Sequence, residues 1–388
     1  MDNIYIGRGN GENHQDFVDF INYVFGFNGD GSDFMKILPK LYKTENKPCE
    51  NNHVVMEDGK FKAAVGVFPS SMNVCGTEIL CHGIGNVAVH PYSRSKGYMR
   101  KLMQISMDEM IKDGADISTL GGRRQRYGYY SFEPAGRTYN FEIDGENIRH
   151  AFAGIEISKK IDVKRISASD EKELADIKSL SEKSPLYSMR GEGAHMYDIM
   201  VSWRAGVWAF YEGSKFLGYA IVNGNDMTEI MLTDTDDFYD VLRTFMKENG
   251  KWNINITVPA FQPEIIRAAH KIAEGYNISE GEMFTVLNYK KVCEAFMKLR
   301  ATYKPLADGE LSLHIHGYAK EEKIKISVKN NEVTVTEIPD AASFDLTLTH
   351  REAMFLLFSC VPQDQFALTP AQASWLPLPL HQYNADHV

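Results

Sequence analysis

Apolar positions along the first part of the chain recur at two periods, and the switches between them mark out elements. Phe17, Phe20, Ile21 and Val24 fall three to four residues apart after a polar opening and predict a helix. Val54 to Glu57 and Lys62 to Phe68 predict a hairpin around Asp58-Gly59. Cys75 to Val89 predicts two further strand segments, divided near Gly83 to Gly85. Helical spacing returns with Met99, Leu102, Met103, Met107, Met110 and Ile111. Arg100, Lys101, Asp108, Glu109 and Lys112 take the opposite face, and Gly114 is the stop. Ile117 to Leu120 is a short strand. The Gly-, Arg- and Tyr-dense stretch from Gly121 to Tyr130 follows, its tyrosines expected to pack in another short strand.

The order then repeats. A helix is predicted over Glu171 to Glu182, then strands at Val207–Tyr211, Phe216–Val222 and Thr228–Leu232. A helix carries Phe238, Val241, Leu242 and Phe245, and a strand runs from Asn253 to Val258. Beyond residue 298 the pattern changes. Leu311, Ile315, Ile324, Ile326, Val328, Val333 and Val335 mark alternating strands. Thr349 and Glu352 form a capping box before an apolar helix. The tail, Trp375-Leu376-Pro377-Leu378-Pro379-Leu380, is stiff, apolar and expected to be docked. The pattern divides the chain into an α/β unit (1–150), a second α/β unit (151–298) and a small α+β domain (299–388).

The segment between the strand Val87-Ala88-Val89 and the helix holds the chemistry. After Pro91 come Arg94, Ser95, Lys96, Gly97, Tyr98, Met99 and Arg100. A helix N-terminus offers unpaired N–H groups and partial positive charge, so this junction is suited to phosphate. Gly97 allows close approach of a ligand, and Arg94 and Lys96 add charge. No G-x-x-x-x-G-K-[ST] loop is present, and Gly7, Gly9 and Gly11 do not complete G-x-G-x-x-G. In the second unit the corresponding stretch, Thr233 to Asp237, is acidic and would repel a pyrophosphate.

Composition narrows the function classes. With 388 residues the chain exceeds one core. A hydrophobic content of 44% and charged content of 24% are those of a globular protein. No apolar run reaches the roughly 18 residues of a membrane span, no basic-then-apolar leader opens the sequence, and a cytoplasmic location without membrane attachment is expected. The net charge of −10 argues against a nucleic-acid partner and mildly favours cationic substrates. Cys49, Cys75, Cys81, Cys293 and Cys360 form no C-x-x-C pair and suit a reducing compartment. Asn28, Asp30 and Ser32 begin a calcium-loop pattern that lacks its glycine and final glutamate. His314 and His316 share a strand face but have no third ligand evident in the sequence, so no metal is expected.

The V-x-V-x-P-x-x-R-x-x-G spacing from Val87 to Gly97 resembles the acyl-CoA motif of GNAT-superfamily N-acetyltransferases. With Arg126-Tyr127-Gly128-Tyr129 and the three-part organisation, the whole chain resembles the enhanced intracellular survival type of that superfamily. The resemblance implies an α/β, mixed α+β-sheet acetyltransferase fold: tandem GNAT-like domains, the second degenerate, then a sterol-carrier-like domain. It implies acetyl-CoA as co-substrate, with Val87, Ala88 and Val89 along the pantetheine and Arg94, Ser95, Lys96, Gly97, Tyr98, Met99 and Arg100 around the pyrophosphate. It also implies transfer of acetyl to a small-molecule or peptidyl primary amine, the carboxylate of Val388 as base, and a homo-oligomer, a hexamer in that family. The family's acid, a tyrosine, falls on Arg124 here, leaving Tyr127, Tyr129 and Tyr130 as substitutes. Arg123, Arg124 and Arg126 would disfavour a polycation if they face the pocket. The alternative reading is a non-catalytic protein that senses coenzyme A or binds a lipid.

Overall fold

Three sheets stack along the chain, and the first two trade a strand. The structure is a computed structural model, described for residues 4–27, 33–153, 159–339, 343–361 and 363–388. The calcium-loop pattern at Asn28, Asp30 and Ser32 lies outside the described residues.

The first unit supplies strands β1 (Ile4–Arg8), β2 (Asn52–Glu57), β3 (Lys60–Val74), β4 (Thr77–Val89), β5 (Ile117–Leu120), β6 (Glu133–Pro134) and β7 (Thr138–Asp144). The second supplies β8 (Asp162–Arg165), β9 (Leu186–Ser188), β10 (Gly206–Glu212), β11 (Lys215–Asn223), β12 (Asp226–Leu232), β13 (Asn253–Pro259), β14 (Gly275–Ser279) and β15 (Met283–Val286). Among the described residues the first sheet runs β1-β2-β3-β4-β5-β15-β6, with β9 added to β3, and the second runs β14-β7-β13-β12-β11-β10-β8. The second unit's β15 therefore completes the first sheet, and β7, which precedes residue 150, lies inside the second. Each sheet is antiparallel up to one parallel pair, β4 with β5 and β12 with β13. The traded strand sits beside that pair. The third sheet, β16 (Gly309–His316), β17 (Glu321–Lys329), β18 (Glu332–Glu337) and β19 (Leu346–Thr349), runs β18-β17-β16-β19.

The helix Tyr98–Lys112 forms as its spacing predicts. Leu102, Met103, Met107 and Met110 are fully buried against Val65, Val67, Ile84 and Leu120. Each such side chain contributes roughly 1.5–3 kcal/mol of transfer free energy. The capping box at Thr349 and Glu352 is formed. The tail is docked: Trp375, Leu378, Leu380 and Tyr383 are buried in the core shared with the helix Tyr289–Tyr303 and the third sheet.

Two expected elements differ. Thr77–Val89 is one strand, not two. Gly66 pairs with Gly85 and Ala64 with Ala88, so Asn86 and Val87 together oppose Val65 in a β-bulge. Asn86 takes a left-handed backbone there (φ 54°) and is held by Tyr42 and Asn52. The glycines do not interrupt pairing; the missing side chain at Gly83 serves a contact described below. The tyrosine-rich stretch forms two helical turns, Arg124–Tyr127 and Gly128–Tyr130, rather than a strand. The N–H groups of Arg126 and Tyr127 both return to Arg123 O, leaving nothing for a sheet edge.

Candidate active site

β4 and β5 stay paired only from Cys81–Ile117 to Ile84–Leu120. Beyond that point β5 ends and β4 continues to Val89, with β3 on one side and, among the described residues, no strand on the other. Two cavities are lined in part by this stretch of β4.

The first cavity, about 650 Å³, lies at the start of the helix Tyr98–Lys112 and is lined by Val89, Ser95, Gly97, Arg100, Arg126 and Tyr129, among others. Ser95 (φ 68°) and Gly97 (φ 79°) both have left-handed backbones, which turn the chain tightly into the helix. No side chain caps the helix N-terminus, and a Cβ at Gly97 would meet nothing within 4 Å. The first-turn N–H groups therefore face open space, as an anion site requires. Arg94 is exposed. Lys96 is committed elsewhere: its Nζ lies 2.8 Å from Glu57, which also accepts from the Tyr98 hydroxyl. Those two contacts hold the Glu57 carboxyl below its usual pKa. Arg100 and Arg126 supply the charge at this cavity instead.

The second cavity, about 520 Å³, is lined by Ile84 to Val87 of β4, Thr119 to Gly121, Tyr127, Trp203, Glu282, His387 and Val388, with an apolar wall that includes Phe25 and Phe34. Val388 lies directly on β4. A Cβ built on Gly83 would collide with its side chain, and one on Gly85 would come within 3.4 Å of its carboxyl carbon. The Val388 side chain thus requires glycine at position 83, whereas at Gly85 the tighter neighbour of an added Cβ is the Phe68 ring at 3.0 Å.

Buried polar groups hold the last residues in place. Lys40 Nζ donates to Ala385 O and His387 O, both at 2.6 Å. Burial pulls the Lys40 pKa down to about 7. The Trp203 indole N–H donates to His387 O at 3.0 Å from a left-handed backbone (φ 61°), a conformation rarely adopted by a bulky residue. Arg190 lies between two carboxylates: its Nε is 2.8 Å from Asp386 Oδ1 and its Nη2 is 2.7 Å from Glu229 Oε2. Ser188 adds a hydrogen bond to Asp386 at 2.6 Å. Burial alone would raise the Asp386 pKa, but the neighbouring cations hold it below its usual value. His387 Nδ1 lies 3.1 Å from Glu282, whose pKa is lowered chiefly by that hydrogen bond.

The cavities separate the expected tyrosines. Tyr127 is 5% exposed and lines the cavity that holds Val388, and burial raises its hydroxyl pKa. Tyr129 is 86% exposed and, like Tyr130, lines the first cavity. Arg124 pairs with Glu133 at 2.5 Å, and Arg126 lines the first cavity. None of Arg123, Arg124 and Arg126 is among the residues lining the cavity of Val388. Sequence reasoning missed Lys40, Trp203, Arg190 and Glu282. Gly83 in β4 was the local signal that something packs on that strand.

Residues 6–135 match the acetyltransferase (GNAT) domain. Three solved structures share the overall fold. A GCN5-related N-acetyltransferase from Anabaena variabilis is 15% identical, with 98% of each chain covered and a TM-score of 0.68. A probable N-acyltransferase from Enterococcus faecalis is 17% identical, with 90% of this chain and 88% of that chain covered and a TM-score of 0.64. Eis1 from Mycobacterium abscessus is 10% identical, with the same coverage and a TM-score of 0.56. No curated protein matches the chain. Domains of the GNAT kind use acetyl-CoA as co-substrate. Among the described residues no helix is long and apolar enough to cross a membrane.

Proposed function

We propose that this protein moves an acetyl group from acetyl-CoA to a primary amine carried on a partly apolar body. The observation that carries the reading is Val388 held on β4, beside the point where β4 and β5 part. A protein that only sensed coenzyme A, or only carried a lipid, would have no use for a carboxylate fixed there.

The pyrophosphate would lie against the first turn of the helix Tyr98–Lys112, with Arg94 and Arg100 beside it. The pantetheine would run along Val87, Ala88 and Val89. The acetyl carbonyl would then accept a hydrogen bond from an N–H of that strand, which is positioned in advance for the developing oxyanion. The neutral amine attacks the carbonyl carbon, the new C–N bond forms, and its proton passes to the Val388 carboxylate, directly or through one water. The C–S bond breaks, and the Tyr127 hydroxyl gives its proton to the departing sulfur. Glu282 provides a second carboxylate for a cationic acceptor, and Phe25, Phe34 and Trp203 receive its apolar part.

The test compares the native chain with one extended by two glycines after Val388 and with Tyr127→Phe. Acetyl-CoA binding is measured by calorimetry and turnover by thiol release over a panel of primary amines. The extended chain should bind acetyl-CoA normally and lose about 10²- to 10⁴-fold in kcat, the usual value of a positioned base. Tyr127→Phe should lower kcat with little change in KM for acetyl-CoA. An extended chain as active as the native one would overturn the assignment of Val388. Absence of acetyl-CoA binding by the native chain would overturn the whole reading.

A further inference from the structure

We propose that His314, His316 and Glu321 form a binding site for a divalent cation of borderline softness, with zinc as the best fit, on the outer face of the third sheet. Alternate residues of a strand share a face. Leu311, Leu313 and Ile315 of β16 point into the core, so His314 and His316 point outward together, their rings 4.5 Å apart. The antiparallel register pairs His316 with Glu321 and His314 with Lys323, which places the Glu321 carboxylate on that same face. One ligand atom from each of the three lies within 4.8 Å of the others, and His314 already contacts Glu321. In the sequence the third ligand was hidden, because only the turn after β16 brings Glu321 back beside the histidines.

Two imidazoles and a carboxylate are a set that zinc accepts, with water in the remaining position. His314 also packs against Phe344, which restricts its ring. The opposing group is Lys323, whose Nζ lies 3.2 Å from Glu321. A bound cation would have to displace it, so Lys323 sets the affinity. The site would tie β16 to β17 at the base of a hairpin whose Tyr318 N–H donates to His350 Nδ1 at 3.3 Å. Occupancy would therefore stiffen the joint between the third sheet and the rest of the chain.

The experiment uses the full chain without a histidine tag, stripped by chelator. Zinc is titrated by calorimetry and cobalt by visible absorption. One equivalent should bind with nitrogen- and oxygen-ligand spectra. Loss of a ligand should cost at least what loss of an outer partner costs, about 10- to 100-fold, so His316→Ala and Glu321→Gln should each weaken binding by that much or more. Lys323→Met should tighten it. Acetyl-CoA binding by each variant, with its thermal unfolding in chelator, reports on folding. The proposal is overturned if the stripped chain takes up no metal. It is equally overturned if His316→Ala binds as the native chain does, or if the cobalt spectrum shows thiolate bands that vanish in Cys75→Ser or Cys360→Ser.

Discussion

Asp386→Asn isolates the device that holds the last residues on β4. Asp386 is buried and accepts from Arg190 Nε at 2.8 Å, Arg190 Nη2 at 2.9 Å and Ser188 Oγ at 2.6 Å. Asparagine keeps the volume and removes the charge. Removing one partner of a buried pair costs about 3–5 kcal/mol, because the other charge is left without compensation. Arg190 retains Glu229 through two hydrogen bonds of 3.0 and 2.7 Å, so the lower end, about 3 kcal/mol, applies here. That corresponds to about 150-fold in the docking equilibrium. Trp375, Leu378, Leu380 and Tyr383 remain anchored in the apolar core, so only the segment from about Asn384 to Val388 should release. Carboxypeptidase trimming should therefore accelerate by about two orders of magnitude, and kcat should fall as the docked fraction falls. Acetyl-CoA affinity should not change, because the phosphate-side cavity contains none of these residues. Unchanged trimming would refute the clamp, and a matched loss of acetyl-CoA binding would show that the substitution had unfolded the domain instead.

Three further outcomes follow from the same geometry. Gly83→Val should displace Val388 by direct collision, abolishing turnover while leaving β3–β4 pairing and acetyl-CoA binding intact by calorimetry. Arg94→Ala combined with Gly97→Glu should abolish acetyl-CoA binding, since it removes one cation and puts an anion at the helix N-terminus. The third concerns acid. Tyr318 N–H donates to His350 Nδ1 and Ser131 O lies 3.1 Å from His350 Nε2, and burial lowers the His350 pKa to about 4. Above the ordinary value of about 6.5 this costs nothing; as pH falls from there towards 4, the unfolded chain takes up a proton that the folded chain refuses. About 3 kcal/mol should be lost across that window. Denaturant titrations should show His350→Gln losing less stability over this range than the native chain, and equal losses would refute the assignment.

What was legible in the sequence was local. The helix Tyr98–Lys112 follows from apolar spacing within one segment, the capping box from four residues, and the docked tail from alternating leucine and proline. What was not legible depended on partners far away in the chain. Nothing near β5 says that its neighbour is Met283–Val286, and nothing near Glu282 says that it will face His387. The reason for Gly83 becomes clear only once Val388 is seen against it. Tyr127 was named together with Tyr129, and only the helical turn separates them, sending one ring into each cavity. The histidine pair was visible, but its carboxylate needed the register of a hairpin.

The exchange of β7 and β15 has a consequence for how the protein comes into being. While the polypeptide is emerging from the ribosome, the first sheet has an open flank at β5 until Met283–Val286 has been made. A nascent chain that pairs this flank with the matching strand of a neighbouring copy would produce an entangled dimer. A release cut placed between the two α/β units would strand each half with the other's missing edge. The protein must therefore be expressed and studied with both units in one piece.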